Sequence, residues 1–580
     1  MVSLYLGLEE KHNQMKFKLF NLFVLAHIFV YSQNTVEWTG MGFDHNWTTA
    51  GNWAGGQPPG MLDTAYALFG DFTIVVDDDV IINRFTNIEG TITLVINAGK
   101  SLECNEWDAV SSGTITLNSD STHFASFICE GPVSNQLTYN RWVNSVNAWD
   151  LVGSPVDGLS ISSFVSTNSS PIATSGTTYA LGYHDNTNDT WTNYTTSVGN
   201  DVNFDSGRGY QMAATSGATM AFTGSILTTN QTQSIINSDS NGSGGRRWNL
   251  VANPFPSYIN LNTNAHATNN FLYVNSSVVD GNYLAVYGYD ADGTGYTIYN
   301  NTIGDNLSDY IAPGQAFFVA AASSSAADIS FTTAMRTTSG GDDFVSGRLA
   351  QSTHSSFYLK LYEGDDFIAD SKFYFDNGLT LGLDPGYDAG ALDQNMAIMS
   401  RLPQQDQGIG MSINAMSNES FEETIIPLDI NKEAGIPFRI SLEDATIPEG
   451  VEVYLEDTQQ QTITDLKDVD FTLTPESDLS GIGRFYVRLG NTNLGNNDLT
   501  ESHISIYKPF NQDHITIEGL ANIKTAKVSL FNIIGQEVLN QPLSSNQSTQ
   551  TISTNGLVIG VYIIKLIADN VTITKKLIIN

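Results

Sequence analysis

The sequence predicts an all-β protein of several domains, and three observations predict it. Beyond residue 33 the chain runs in short alternating or β-branched segments, such as Thr73-Ile74-Val75-Val76 and Tyr358-Leu359-Lys360-Leu361, punctuated by Gly, Asn, Asp and Pro. Only 15% of residues are charged, while 50 are Gly and 11% are aromatic, a composition suited to strands and tight turns. The length of 580 residues exceeds what one hydrophobic core organises. With 41% hydrophobic residues the chain can bury its cores, which excludes wholesale disorder. No apolar run after the N-terminal segment is long enough to span a membrane as a helix.

The elements follow in order. Met15-Lys16-Phe17-Lys18, the apolar stretch Leu19 to Val30 and Tyr31-Ser32-Gln33 have the basic, apolar and small-residue parts of a secretory signal peptide. Residues 15–32 are therefore expected to be a signal and 1–14 an upstream extension. Residues 33–135 form a β-rich domain with a near-repeat, in which Gly90-Thr91-Ile92-Thr93-Leu94 recurs as Gly113-Thr114-Ile115-Thr116-Leu117. Two copies fit either stacked solenoid rungs or an ordinary meander. Each copy runs on to a cysteine, Cys104 and Cys129, so in an oxidising compartment the pair is either a disulfide between neighbouring rungs or two buried thiols. A Ser/Ala-rich stretch at 321–328 and Gly340-Gly341-Asp342-Asp343 end a central β module of residues 136–345. A β-sandwich-like domain spans 346–495, and the Asn/Gly run from Gly490 to Thr500 leads to a last domain of residues 500–580.

Charge separates the tail from the rest. Lys and Arg number 25 against 61 Asp and Glu, a net charge of -36 that repels a phosphate backbone, so nucleic acid is not an expected partner. From Ser505 onward six Lys face four acids, +2, which leaves -38 for the residues before it.

Catalytic motifs are not evident: the sequence has no His-Glu-x-x-His, no Gly-x-Ser-x-Gly and no Cys-x-x-Cys. Gly99-Lys100-Ser101 resembles the end of a phosphate loop, but Leu94 stands where its leading Gly belongs. A carboxylate pair for glycoside hydrolysis stays open, because so many acids offer many combinations. Asp290 and Asp292 alternate before Gly293, which fits either a calcium loop or a hairpin turn. Trp38, Trp47 and Trp53 are either exposed platforms for sugar rings or core residues.

The tail carries a specific resemblance. Val528-Ser529-Leu530-Phe531-Asn532-Ile533-Ile534-Gly535-Gln536-Glu537-Val538, Leu557-Val558-Ile559-Gly560-Val561-Tyr562-Ile563-Ile564-Lys565 and Thr574-Lys575-Lys576-Leu577-Ile578-Ile579 resemble the type A C-terminal sorting domain of type IX secretion cargo. The resemblance implies a small Ig-like sandwich whose sorting signal includes Gly535, Gly560, Tyr562, Lys575 and Lys576, and a partner in the type IX machinery. Lys508-Pro509-Phe510-Asn511 departs from that family's entry motif. Gly535 and Gly560 stand where tight turns are expected.

The body resembles, more loosely, a recurrent β module of such cargo. The likeness rests on Trp149-Asp150-Leu151-Val152-Gly153-Ser154-Pro155, Gly207-Arg208-Gly209-Tyr210, Trp248-Asn249-Leu250-Val251-Ala252-Asn253-Pro254-Phe255-Pro256 and Ile311-Ala312-Pro313-Gly314-Gln315. Gly382-Leu383-Asp384-Pro385-Gly386-Tyr387-Asp388 extends it.

The expectation is an exported surface or extracellular β-protein, structural or adhesive, with a glycan or surface ligand and no cofactor other than calcium at Asp290 and Asp292 if those residues form a calcium loop. A polysaccharide-degrading enzyme is the alternative. The tail is expected to be a separable export signal.

Overall fold

The computed structural model describes residues 34–580, apart from 69, 88, 110–112, 200, 240–244, 291–294, 303–308, 339, 344–354, 419–423, 449, 491–503, 510–511, 521–522, 545–546, 548, 570 and 580. The expected signal peptide and most of the expected linker lie outside the described residues.

The N-terminal region is a parallel two-sheet solenoid. One sheet stacks β1 (Thr35–Glu37), β2 (Thr64–Ala67), β4 (Val80–Asn87), β6 (Ser101–Ala109) and β8 (Ser126–Cys129). The facing sheet stacks β3 (Phe72–Val76), β5 (Ile92–Ile96), β7 (Thr114–Asn118) and β9 (Gln136–Val143). The chain alternates between the sheets, so β2 and β3 make the first rung and β8 and β9 the fourth. Alternation along each strand turns one set of side chains inward, as in β5, where Ile92, Leu94 and Ile96 are buried. Stacked rungs repeat their contacts: Phe85 and Trp107 are register partners with rings 4.5 Å apart, and the amide of Asn105 donates to Asn83 at 3.1 Å.

Both ends of the solenoid are covered, which hides strand edges that would otherwise template aggregation. At the start, β1 lies on the edge of β2, Asn46 bridges to Val75 of β3, and Trp38, Trp47 and Trp53 pack edge-to-face as core. The indole of Trp53 donates to the Trp47 carbonyl at 2.7 Å. At the far end Ala218–Gly224 pairs antiparallel with β9, and Phe127 N–H of β8 donates to the Pro256 carbonyl at 2.8 Å. The ladder therefore runs through residue 135 without interruption.

Sheets of the central module follow, with two short helices, Ile161–Thr167 and Phe271–Asn275, inserted between strands. Each is started by a side-chain cap: Ser160 accepts from Ser163 N–H and Asn270 from Tyr273 N–H. The described strands between Ser355 and Gly490 form one large sheet, opened by the hairpin Ser355–Glu363 and Asp366–Asp376. Phe357, Leu359 and Leu361 point into its core, while Lys360 faces Glu443 and Asp444. Core residues of the two regions merge, since Trp248, Leu250, Tyr287 and Phe318 share one buried cluster with Tyr374, Ala389, Ile413 and Ala415.

The body's motif residues converge on these junctions. Asn253, fully buried, donates to the Ser257 and Ala312 carbonyls and accepts from Phe255 N–H, which locks Asn253-Pro254-Phe255-Pro256 against the solenoid. Gly314 has φ +63° and its added Cβ would stand 2.8 Å from the Gly153 carbonyl, so two motifs meet backbone to backbone. Asp384 to Asp388 forms a turn whose Gly386 carbonyl accepts from Asn301 and whose Tyr387 carbonyl accepts from Asn300, tying the large sheet to the central module. Asp388 accepts from Ala415 N–H and Asp384 N–H, and burial pushes its carboxyl up to about 8.

Candidate functional site

The tail, residues 505–579, is a sandwich of two sheets. Ser505–Tyr507, His514–Glu518 and Thr549–Ser553 make the smaller one; Glu537–Leu543, Ala526–Asn532, Gly560–Ala568 and Val571–Ile579 make the larger. Ile515, Ile517, Val528, Leu530, Ile564 and Leu566 fill the space between them. Each strand supplies alternate residues to this core, as the period of two requires.

Among the residues of the expected sorting signal, Gly535 holds φ +81° in the turn after Asn532, and nothing lies within 4 Å of an added Cβ. Glycine is needed there for its backbone conformation and not for space. Gly560 differs: it is the first residue of a strand, opposite Ile579, and the left-handed turn falls on Gly556, with φ +87°. Tyr562 points inward, and its hydroxyl donates back to the Val558 carbonyl at 2.7 Å, pinning the loop that leads into its own strand. Lys575 and Lys576 are turned to opposite faces by strand alternation. Lys576 is exposed, whereas Lys575 Nζ donates to the Asp406 carbonyl at 3.2 Å, and burial lowers its pKa.

Two turns that reach the same end of the sandwich present bare aliphatic side chains. Asn532 pairs with Tyr562 and Gly560 with Ile579, so Ile533 and Ile534 (79% and 82% exposed), Val558 and Ile559 (77% and 76%) and Ile578 (57%) all lie at this tip. The visible signal for it was Ile533-Ile534 directly before a turn glycine, where polar residues usually stand.

The opposite feature is a buried seat on the body. Ser505, Tyr507, Thr516 and Glu518 lie on the outer face of the smaller sheet, with Ser505 registered to Glu518 and Tyr507 to Thr516. All four are nevertheless buried. Arg401, at the end of the strand Ile398–Ser400, is what Glu518 meets: its guanidinium donates to Glu518 at 2.9 Å and to Asp406 at 3.2 and 3.1 Å, and lies 3.6 Å from Asp429. It also lies 5.5 Å from the centre of the Tyr507 ring. Ser505 donates to Asp406 at 2.7 Å. Burial opposes charge on Arg401, but Asp406 and Glu518 outweigh it and raise the pKa; burial pushes Asp429 and Glu518 up against the pull of Arg401. The backbones also come close: an added Cβ on Gly408 would overlap the Tyr507 ring, and one on Gly483 would stand 3.1 Å from Gly519 Cα. A cavity between the two sides is lined by Leu402, Asp406 and Ile482 of the body and Ile504, Ser505 and Lys575 of the tail.

The remaining expected sites fall elsewhere. Cys104 and Cys129 are register partners on β6 and β8, both buried and both free thiols. The hydrogen bond between them and burial hold the Cys104 thiol well above its ordinary pKa. Asp290 ends the strand Val286–Asp290 opposite Gly295, and Asp292 lies outside the described residues. Lys100 and Ser101, from the phosphate-loop look-alike, bond Asp78 and Asp79 of the preceding rung. Among the described residues no helix is long and apolar enough to cross a membrane.

Comparison with known families places both parts. A family described as a domain of unknown function (DUF8693) matches residues 37–489, and the chain belongs to it. The secretion system C-terminal sorting domain matches residues 508–580, which makes the chain a type IX secretion cargo protein, directed to the cell surface or extracellular space through the type IX machinery. No curated protein matches the chain. Among solved structures it is similar to dimeric latent PorU from Porphyromonas gingivalis, at 10% identity and a TM-score of 0.13, over 39% of this chain and 29% of that one. A tetra-tandem repeat in the extending region of a large adhesion protein is 10% identical at a TM-score of 0.12, over 69% of this chain and 91% of that one. The BSP domain of a biofilm associated protein is 7% identical at a TM-score of 0.13, over 61% and 96%. Scores this low carry no argument about this chain.

Proposed function

We propose that the exported body is an adhesive surface protein that contacts carbohydrate through a strip of aromatic rings on its central module. One observation carries this reading. Trp191, on the strand Thr190–Thr195, and Tyr296, on the strand Gly295–Tyr299, are 39% and 42% exposed, and both pack edge-to-face on buried Phe318 at 6.2 and 6.0 Å. The His184 ring fills the space beside Trp191 and Phe318, 5.2 Å from each, and bonds Asp189 at 3.1 Å. Large rings held in place by a buried partner, with a half-exposed carboxylate next to them, offer a sugar apolar faces to stack on and an acceptor for its hydroxyls.

A glycan screen of the purified chain tests the reading. Trp191→Ala and Tyr296→Ala should each weaken binding of the captured glycan at least about tenfold, a loss of roughly 1.4 kcal/mol, without moving the melting temperature. Unchanged binding in both variants would remove the strip as the contact. Hydrolysis of the captured glycan by the parent would replace adhesion with the enzymatic reading. Calcium at Asp290 and Asp292 belongs to the same proposal, because their hairpin carries Tyr296. Excess calcium should then raise the melting temperature of the parent and not of Asp290→Ala/Asp292→Ala.

A further inference from the structure

The tail's smaller sheet has two buried faces. One packs on the larger sheet through Ile506, Ile515 and Ile517, as a sandwich requires. The other, carrying Ser505, Tyr507, Thr516 and Glu518, would be solvated in a free domain and is instead buried. The groups that meet it belong to the body, and their chemistry is complementary. Arg401 shares its donors between Asp406, which precedes the seat, and Glu518, which arrives with the tail. Ser505 completes Asp406, Lys575 takes the Asp406 carbonyl, and Gly408 leaves the space into which the Tyr507 ring fits. A carboxylate taken out of water is tolerated only where paired, so Glu518 and its guanidinium hold each other in place. This is the chemistry of a specific interface and not of a domain swinging on its connection.

We propose that the sorting domain is a docked subunit of the body, clamped between Arg401 and Glu518, so that severing the 491–503 connection does not release it. The tail then acts twice, first as the export signal and afterwards as a non-covalent handle. Whatever holds the sorting domain also holds the body, even when the chain between them is cut. The inference does not depend on the adhesive reading.

The test uses the full chain with a site-specific protease sequence placed within 491–503. After complete cleavage, the two pieces should co-elute on size exclusion at micromolar concentration. Glu518→Leu in the same chain should weaken retention at least tenfold, read as release of the tail on dilution. Glu518 faces away from the tail's core, and Tyr507→Ala, which empties the space over Gly408, provides a second variant with the same expected release. Circular dichroism of the released tail confirms that it is still folded. Separation of the cut parent at micromolar concentration would overturn docking, and retention of both variants at the parental level would overturn the clamp.

Discussion

Two buried guanidiniums hold this molecule together, and they do so differently. Arg141, on β9, is fully buried and donates to the Pro313 carbonyl at 3.1 Å, to its neighbour Trp142 at 2.5 Å and to Asp343 at 2.5 Å, with the Phe124 ring 4.8 Å away. Arg401 is surrounded by three carboxylates, Asp406, Asp429 and Glu518, of which the last belongs to the tail. Backbone carbonyls cannot leave without unfolding the chain that carries them, so Arg141 makes a permanent weld between solenoid and central module. A carboxylate on a separately folded sandwich can leave, so Arg401 makes a joint. One side-chain chemistry gives both outcomes because the acceptors decide which groups must move together.

Arg141→Met should produce the largest effect, since it strips partners from Asp343 and from two carbonyls deep in the body. A loss of about 3–5 kcal/mol is expected for breaking a buried pair from one side, read as a shift of the denaturant midpoint of the body. Arg401→Met should move that midpoint far less while abolishing retention of a cut tail. Equal shifts for the two variants would erase the distinction between weld and joint.

The second way to sharpen the comparison is pH. Burial pushes Asp150 and Asp342, near Arg141, up to about 7, in each case helped by the charge of Asp343, and Asp388 is pushed up to about 8. Carboxyls with raised folded pKa values bind protons better folded than unfolded. Their contribution is full below the ordinary carboxylate range and is lost as pH rises through about 7 and 8. Body stability should therefore fall between pH 5 and pH 8.5, by up to about 1.4 kcal/mol per pH unit for each well-buried group that titrates. Asp342 is only partly buried and should add less. Asp388→Asn should flatten the slope by one group, as measured by unfolding across that range; an unchanged slope would place the titration elsewhere.

How far such features can be read from sequence depends on their separation along the chain. Alternation in Tyr358-Leu359-Lys360-Leu361 fixes which residues enter the core, and the near-repeat at Gly90 and Gly113 marks real rungs. Yet the copies are 23 residues apart while Leu94 pairs with Ile115, 21 residues on. The shift of two keeps every side chain on its face, so the structure is indifferent to it. The solenoid has four rungs although two copies are similar, because a rung needs only inward-facing apolar residues and an edge to sit on. The helices Ile161–Thr167 and Phe271–Asn275 are too short for a helical period to stand out, leaving caps at Ser160 and Asn270 as their trace. Trp38, Trp47 and Trp53 gave two readings that only packing separates. Arg401 and Glu518 are 117 positions apart, and no local pattern joins them. The body's motifs were visible as motifs, but their meeting around Arg141 and Asn301 depends on tertiary contacts.

The smallest effect concerns the solenoid alone, away from both guanidiniums. Cys104 and Cys129 occupy paired positions on β6 and β8, where adjacent parallel strands lie about 4.8 Å apart, within the span that a disulfide bridges between Cα atoms. Export delivers the chain to compartments where thiols oxidise. The register sets the two residues opposite each other on adjacent strands, and both side chains are buried. Closing a loop of about 25 residues should add roughly 3 kcal/mol in the chain-entropy model, less whatever strain the rung imposes. The opposing factor is access: both thiols are buried, so oxidation should be slow in the folded chain and fast during refolding. Thiol counting in denatured, unreduced protein recovered after export decides the matter. Two labelled thiols would mean that the solenoid stands on packing alone; none, with a melting temperature lowered by reductant and unchanged by reductant in Cys104→Ala/Cys129→Ala, would establish a covalent staple between its third and fourth rungs.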